Sequence, residues 1–244
     1  MSVRKVSIDS NKPSYYHAPT PNSIKGQLHR LKMRLSFNQY KSMLGNYTNI
    51  SGTSNSKILE IGIGPGYLLS FLESWFPKST ITGFEYDSRL IDEAKQRTSR
   101  TKFVQGNAEE LYFPDDQFDA VISLHLVEHL YHPDQMVEAV KQILKKEGIF
   151  ILATPNLGGF GAKLMGNKWH GYRDDHVSLK SASEWSQLLE ASGFIIIKES
   201  TTLFSGIPLL RIPPLGLINS ALLLAFGSFS WKYGEAVVIL ARKQ

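Results

Sequence analysis

Apolar runs and amphipathic stretches alternate along most of this chain. Residues 57–61, 80–84, 102–105, 118–123 and 149–153 are four to six residues long and rich in Ile, Val and Phe, as buried strands are. Between them, residues 66–75, 88–98 and 134–146 place apolar side chains at helical spacing. In the third, Met136, Val137, Val140, Ile143 and Leu144 share one face. Ser88 is the expected N-cap of the second helix, and Gly148 the expected C-terminal glycine of the third. A further helix is predicted over 183–192, ending at Gly193, with last strands over 194–199 and 236–241. Repeated strand–helix–strand units with apolar strands predict an α/β domain, its parallel sheet doubly wound with helices on both faces.

Upstream, residues 1–23 are polar and carry Pro13, Pro19 and Pro21, which predicts extended chain. Leu28, Leu31, Leu35 and Tyr40 give residues 24–44 a helical period, and Gly45 with the Asn/Ser/Gly/Thr stretch 46–56 reads as a linker. The expected organisation is a basic helical extension over 1–56 and one domain over 57–244, with an apolar insertion at about 203–233.

The first strand runs into Glu60-Ile-Gly62-Ile-Gly64-Pro-Gly66 and then into a helix. Three glycines permit a tight turn and close approach of a ligand, and the helix start offers free N–H groups. The spacing is G-x-G-x-G, not the dinucleotide G-x-G-x-x-G, and Tyr67-Leu68 stands where a phosphate loop needs Lys-Ser/Thr. No Lys or Arg lies between Lys57 and Lys78, so nothing there neutralises a polyphosphate. An acid entering the loop suits an amine-bearing ligand, and the alternative is a glycine turn without a ligand. Glu85 follows the second strand, 19 residues past Gly66, where a doubly wound fold places an acid for ribose hydroxyls. Asp87 is the weaker candidate, better suited to capping the next helix.

These residues resemble motif I of class I S-adenosylmethionine (SAM) methyltransferases. Gln105-Gly-Asn107-Ala108, Phe113-Pro-Asp-Asp-Gln-Phe-Asp119, Glu128-His129-Leu130 and Thr154-Pro155-Asn156 follow in the order of the ubiquinone-biosynthesis-type group of that family. The likeness runs from about residue 57 to 200. It implies a Rossmann-like, seven-stranded, mostly parallel sheet with an antiparallel last strand, and SAM (S-adenosylhomocysteine after transfer) at the carboxyl ends of the strands. By position, Glu60, Gly62, Gly64 and Gly66 would line the methionine end, Glu85 would hold the ribose, Tyr86 would flank the adenine, and Asn107 with Ala108 would bond its edge. Leu124 and His125 would face the sulfonium. The ribose acid is often Asp in the family; here it is the longer Glu85.

A hydroxyl acceptor benefits from a base near neutral pKa. Of seven histidines, His125, His129, His170 and His176 fall where the active edge is expected. His125, Glu128 and His129 form H-x-x-E-H at the start of an expected helix, sharing a face by their spacing. Two His and one carboxylate could bind a metal; a structural or substrate-orienting role is the reading preferred, with no metal expected. Lys168-Trp169-His170-Gly-Tyr172-Arg173-Asp-Asp175-His176 resembles the W-x-x-D-x-x-H stretch of saccharide- and small-molecule-modifying relatives. His176 is therefore the first candidate for a base, with His125 and His129 beside it, against a purely structural lid.

Composition narrows the partners. Without cysteine there are no disulfides, thiolate metal sites or cysteine nucleophiles. Residues 1–56 hold eight Lys and Arg against one Asp, and the other 188 residues hold nineteen against twenty-one acids. The net positive charge thus belongs to the N-terminal segment. Few aromatics interleave it, so no nucleic-acid partner is expected. Met1-Ser-Val-Arg-Lys lacks an apolar signal core, and a cytoplasmic location is expected. Residues 213–231 carry no charge, enough to span a bilayer, but the prolines and the return of both ends to one sheet argue against a crossing. A buried lid or a lipid-facing surface remains, and with it peripheral membrane contact. The expected activity is methylation, at oxygen, of a small-molecule, saccharide or lipid-linked acceptor. A non-catalytic SAM-binding module and an NAD(P)-dependent oxidoreductase are the alternatives.

Overall fold

The computed structural model describes residues 24–202, 214, 215, 218, 221 and 228–244. Its seven strands are β1 (Lys57–Ile61), β2 (Thr80–Glu85), β3 (Lys102–Gln105), β4 (Phe118–Leu124), β5 (Leu144–Pro155), β6 (Phe194–Thr201) and β7 (Ala236–Lys243). They form one sheet in the order β3-β2-β1-β4-β5-β7-β6. All neighbours pair parallel except β7, which runs antiparallel to both β5 and β6. Strand order reverses beside β1, so ligands are expected outside the carboxyl ends of β1 and β4.

Helices α1 (Ile24–Tyr47), α2 (Tyr67–Trp75), α3 (Ser88–Lys95), α4 (Pro133–Ile143), α5 (Phe160–Met165) and α6 (Ala182–Ala191) surround the sheet. The two sheet faces make two cores. Leu59, Ile61, Val121, Phe150 and Ile239 pack with Met136, Val137 and Val140 of α4 and Trp185 of α6. Ile58, Ile81, Ile122 and Leu240 pack with Leu69 and Leu72 of α2 and with Tyr40, Met43 and Leu44 of α1. Alternate residues of one strand thus serve opposite cores, as pleating requires.

Three local expectations are corrected. The cap of α3 is Asp87, whose side chain accepts from the Arg89 N–H, not Ser88. Helix α4 stops at Ile143 because Leu144 pairs with Phe118 in the sheet. Gly148 is therefore a strand residue: a Cβ there would stand 2.8 Å from the Lys145 carbonyl, and Glu147 adopts the left-handed turn at φ 63°. The expected helix at Glu128 is only a 3-10 turn, Val127–His129, followed by extended Leu130.

Both ends of the segment joining β6 to β7 leave from the carboxyl edge of the parallel strands. Its base is closed by Thr201 and Phe229, which exchange two N–H···O bonds of 2.8 Å, and by the Thr202 N–H donating to Ala236 at 2.8 Å. Residues 1–23 and most of the apolar insertion lie outside the described residues. Among the described residues, no helix is long and apolar enough to cross a membrane.

Candidate active site

The glycine loop after β1 is held by backbone bonds. The Gly62 N–H donates to Phe84 at 2.9 Å and the Gly66 N–H to Ile63 at 3.0 Å. Gly66 opens α2 at φ 80°, and a Cβ there would lie 2.5 Å from that of Ala94. Conformation and space both demand glycine. A Cβ on Gly62 would stand 3.0 Å from Leu126, so this loop packs directly on the loop after β4.

Two carboxylates flank the turn. Glu60 is only 3% exposed, and its Oε2 has no hydrogen-bond partner. Burial first, and then the charge of Glu85, raise its pKa well above the usual carboxylate range. A buried oxygen of this kind calls for a hydrogen-bond donor. Glu85 is well supplied: it accepts from the N–H groups of Gly64 at 3.1 Å, Tyr86 at 2.8 Å and Asp87 at 3.1 Å. Burial still leaves its pKa raised, against the pull of those bonds. Beyond Glu85 opens a cavity of about 440 Å³ lined by Tyr86, Asp87, Arg89, Gln105 and Asn107. The Gln105 amide donates to the Tyr86 carbonyl at 3.1 Å. Asn107 uses its side-chain oxygen on the Glu109 N–H at 3.1 Å, which fixes the turn that carries buried Ala108.

Leu124 ends β4, and His125 follows in the left-handed conformation at φ 54°. Its N–H donates to Ala153 at 2.7 Å. Strain in a non-glycine residue marks a constrained position. Its Nδ1 lies 3.5 Å from the Glu128 carboxylate, which is buried and accepts from the Thr154 hydroxyl at 2.8 Å. Burial raises the Glu128 pKa, but the hydrogen bond and charge of His125, with Thr154, more than offset it and hold the group low.

The three members of H-x-x-E-H do not share a helical face. His129 turns instead to the segment after α5: its Nδ1 lies 3.0 Å from the Asp175 carbonyl, and its ring meets that of His176 edge-on with centroids 4.7 Å apart. His176 Nδ1 lies 2.7 Å from the Gly171 carbonyl. A carbonyl only accepts, so Nδ1 carries a proton in each ring, and in the neutral form of the ring the lone pair lies on Nε2. Burial, outweighing the bond to Gly171, holds His176 below the ordinary 6.5. Glu128, His129 and His176 each bring a ligand-type atom within 4.8 Å of the others.

The structure thus gathers Glu60, the glycines, Glu85 and Tyr86 on one side, and His125, His129 and His176 on the other. His170 stands apart, 3.8 Å from buried Glu235, which also accepts from the Trp169 indole at 2.7 Å. The pairing of Trp169 with Glu235 and the hold of Asp175 on His129 escape sequence reading. Glu235 did carry a signal, as the sole acid after Glu199.

Known proteins share this fold and part of this sequence. Residues 26–199 match the family described as "Methyltransferase domain". The malonyl-[acyl-carrier protein] O-methyltransferase of Paenibacillus is 28% identical over 154 residues, 58% of this chain and 56% of that protein. The fatty-acid O-methyltransferase of Mycolicibacterium smegmatis is 34% identical over 118 residues, 47% of this chain and 43% of that protein. The chain spans about half the length of the curated relatives it matches. A SAM-dependent methyltransferase structure from Thermotoga maritima superposes with a TM-score of 0.60 at 22% identity, covering 87% of this chain and 99% of that one.

Proposed function

Given that this chain belongs to the class I SAM-dependent methyltransferases, we propose that it methylates an oxygen of a small-molecule, saccharide or lipid-linked acceptor, as a member of the ubiquinone-biosynthesis-type group. SAM supplies a methyl group activated on a positive sulfonium. The observation that carries the reading is the buried, unpartnered Glu60 oxygen beside a glycine loop that packs on the histidine-bearing loop. One edge then offers a seat for an ammonium, an acid for ribose hydroxyls, and bases for an acceptor.

The residues fit the cofactor. Glu60 answers the amino group, Glu85 the ribose, and the cavity at Tyr86, Gln105 and Asn107 the adenine, while Leu124 and His125 border the methyl. His176, anchored through Nδ1, takes the acceptor proton at Nε2 when that acceptor is a hydroxyl. A carboxylate acceptor needs no base, so alignment and exclusion of water suffice. The two acyl-modifying relatives favour oxygen as the acceptor atom. Mass spectrometry after incubation with isotope-labelled SAM and paired hydroxyl and carboxyl acceptors tests this; the expected product carries one extra labelled CH₂. Binding of NAD but of neither SAM nor S-adenosylhomocysteine in calorimetry would overturn it.

One observation favours a second reading of the histidines: the spacing of Glu128, His129 and His176 also suits a cation. Turnover unchanged after dialysis against a chelator supports the base; loss restored by a divalent metal supports the cation.

A further inference from the structure

We propose that the rim around α5 and Tyr233 is a docking surface for an anionic lipid bilayer, which brings the acceptor to the methyl site from the membrane. Phe160 and Leu164 of α5 are 47% and 61% exposed, and Tyr233 is 54% exposed. They form one surface: the Phe160 N–H donates to the Tyr233 carbonyl at 2.8 Å, and the Lys163 ammonium stands 5.5 Å over the Tyr233 ring. Leu215 and Ile218, within the segment joining β6 to β7, are 44% and 55% exposed. Large apolar side chains exposed together along α5 and at Tyr233 mark an interaction site, not scattered surface residues.

Charge selects the occupant. No Asp or Glu lies between Glu199 and Glu235, while Arg211 and Lys232 do. Residues 157–180 add Lys163, Lys168, Arg173 and Lys180 against Asp174 and Asp175, and Asp175 is bonded to Arg173 at 2.9 Å. Glu235 itself is buried on Trp169. An apolar rim with more basic than acidic side chains around it matches headgroups that are negative over an acyl interior. The surface stands at the sheet edge that carries His125, His129 and His176, so a docked protein faces its acceptor side toward the lipid.

The inference rests on reading that edge as the acceptor side, yet its test needs no turnover. Flotation of the full chain with phosphatidylcholine vesicles containing phosphatidylglycerol is expected to carry the protein upward, less so in high salt, and not with phosphatidylcholine alone. Phe160→Glu/Leu164→Glu is expected to cut the floated fraction at least about tenfold, with SAM affinity by calorimetry unchanged. Leu31→Glu on exposed α1 is expected to float like the parent. No flotation with anionic vesicles at low salt overturns the inference. So does flotation untouched by the double substitution, or a dimer by light scattering that the same substitution dissolves without any vesicle binding. Loss of SAM binding in the parent would instead overturn the methyltransferase reading.

Discussion

Glu60→Gln removes one ionisable group from the core and tests the cofactor seat directly. In the cofactor-free protein Glu60 is raised well above the ordinary 4.5, first by burial and then by Glu85. The folded state therefore holds the proton more tightly than the unfolded chain. That contribution to stability is complete below 4.5 and is lost as pH climbs to the folded-state value, at about 1.4 kcal/mol per unit. In a chain of this size each unit corresponds to roughly 3–6 °C in Tm. Glu60→Gln abolishes the loss, so the cofactor-free variant is expected to gain on the parent as pH rises, in melts followed by fluorescence. Cofactor binding should move the other way. An ammonium arriving at Glu60 favours the carboxylate, so the parent releases up to about one proton per SAM and binds about tenfold tighter per pH unit while the free acid is protonated. Losing a charge-assisted hydrogen bond costs about 1.5–3 kcal/mol, or roughly tenfold to a hundredfold in affinity for Glu60→Gln. Calorimetry in buffers of different ionisation enthalpy counts the protons. Zero proton release by the parent together with near-parental affinity in the variant would refute the assignment.

Three further outcomes are expected. Glu85→Ala should lower SAM affinity by at least about tenfold with far-ultraviolet circular dichroism unchanged; calorimetry that finds no loss removes the ribose assignment. His176→Gln should slow methylation of a hydroxyl acceptor by about 10²–10⁴-fold but scarcely affect a carboxylate acceptor. The parent's rate on the hydroxyl should rise with pH to a midpoint below 6.5, since the neutral ring is the active form and burial depresses its pKa; a midpoint that survives in the variant excludes His176. Gly66→Ala should lower Tm, because the left-handed backbone costs about 1–2 kcal/mol and its Cβ meets Ala94 at 2.5 Å; an unchanged melt contradicts that packing.

Much of this architecture is legible in the sequence. All seven strands follow from apolar runs between turn signals, and the order of the motifs points to the SAM family. The errors fall where tertiary contacts override local pattern. Ile143-Leu144 continues a helical period, yet Leu144 pairs with Phe118 and ends α4. His125, Glu128 and His129 have helical spacing, but Pro133 starts the helix later and leaves only a 3-10 turn. The meeting of His129 with His176 joins loops 47 positions apart, which no local period encodes. Likewise the sequence places Glu60 before the loop but cannot say that one of its oxygens is buried without a partner.

The closed base of the segment between β6 and β7 has a consequence for how such a chain can diversify. Backbone hydrogen bonds among Thr201, Thr202, Phe229 and Ala236 fasten the two ends together, the Thr201 and Thr202 hydroxyls add bonds across the same clasp, and β7 is then clamped between β5 and β6 over seven paired positions on each side. Material inserted above that clasp adds only a slowly growing closure entropy. Its side chains can be exchanged without shifting the register of any strand or the seat of the cofactor. Change in this segment is thereby uncoupled from foldability: its sequence can vary while the seven-stranded sheet is inherited intact.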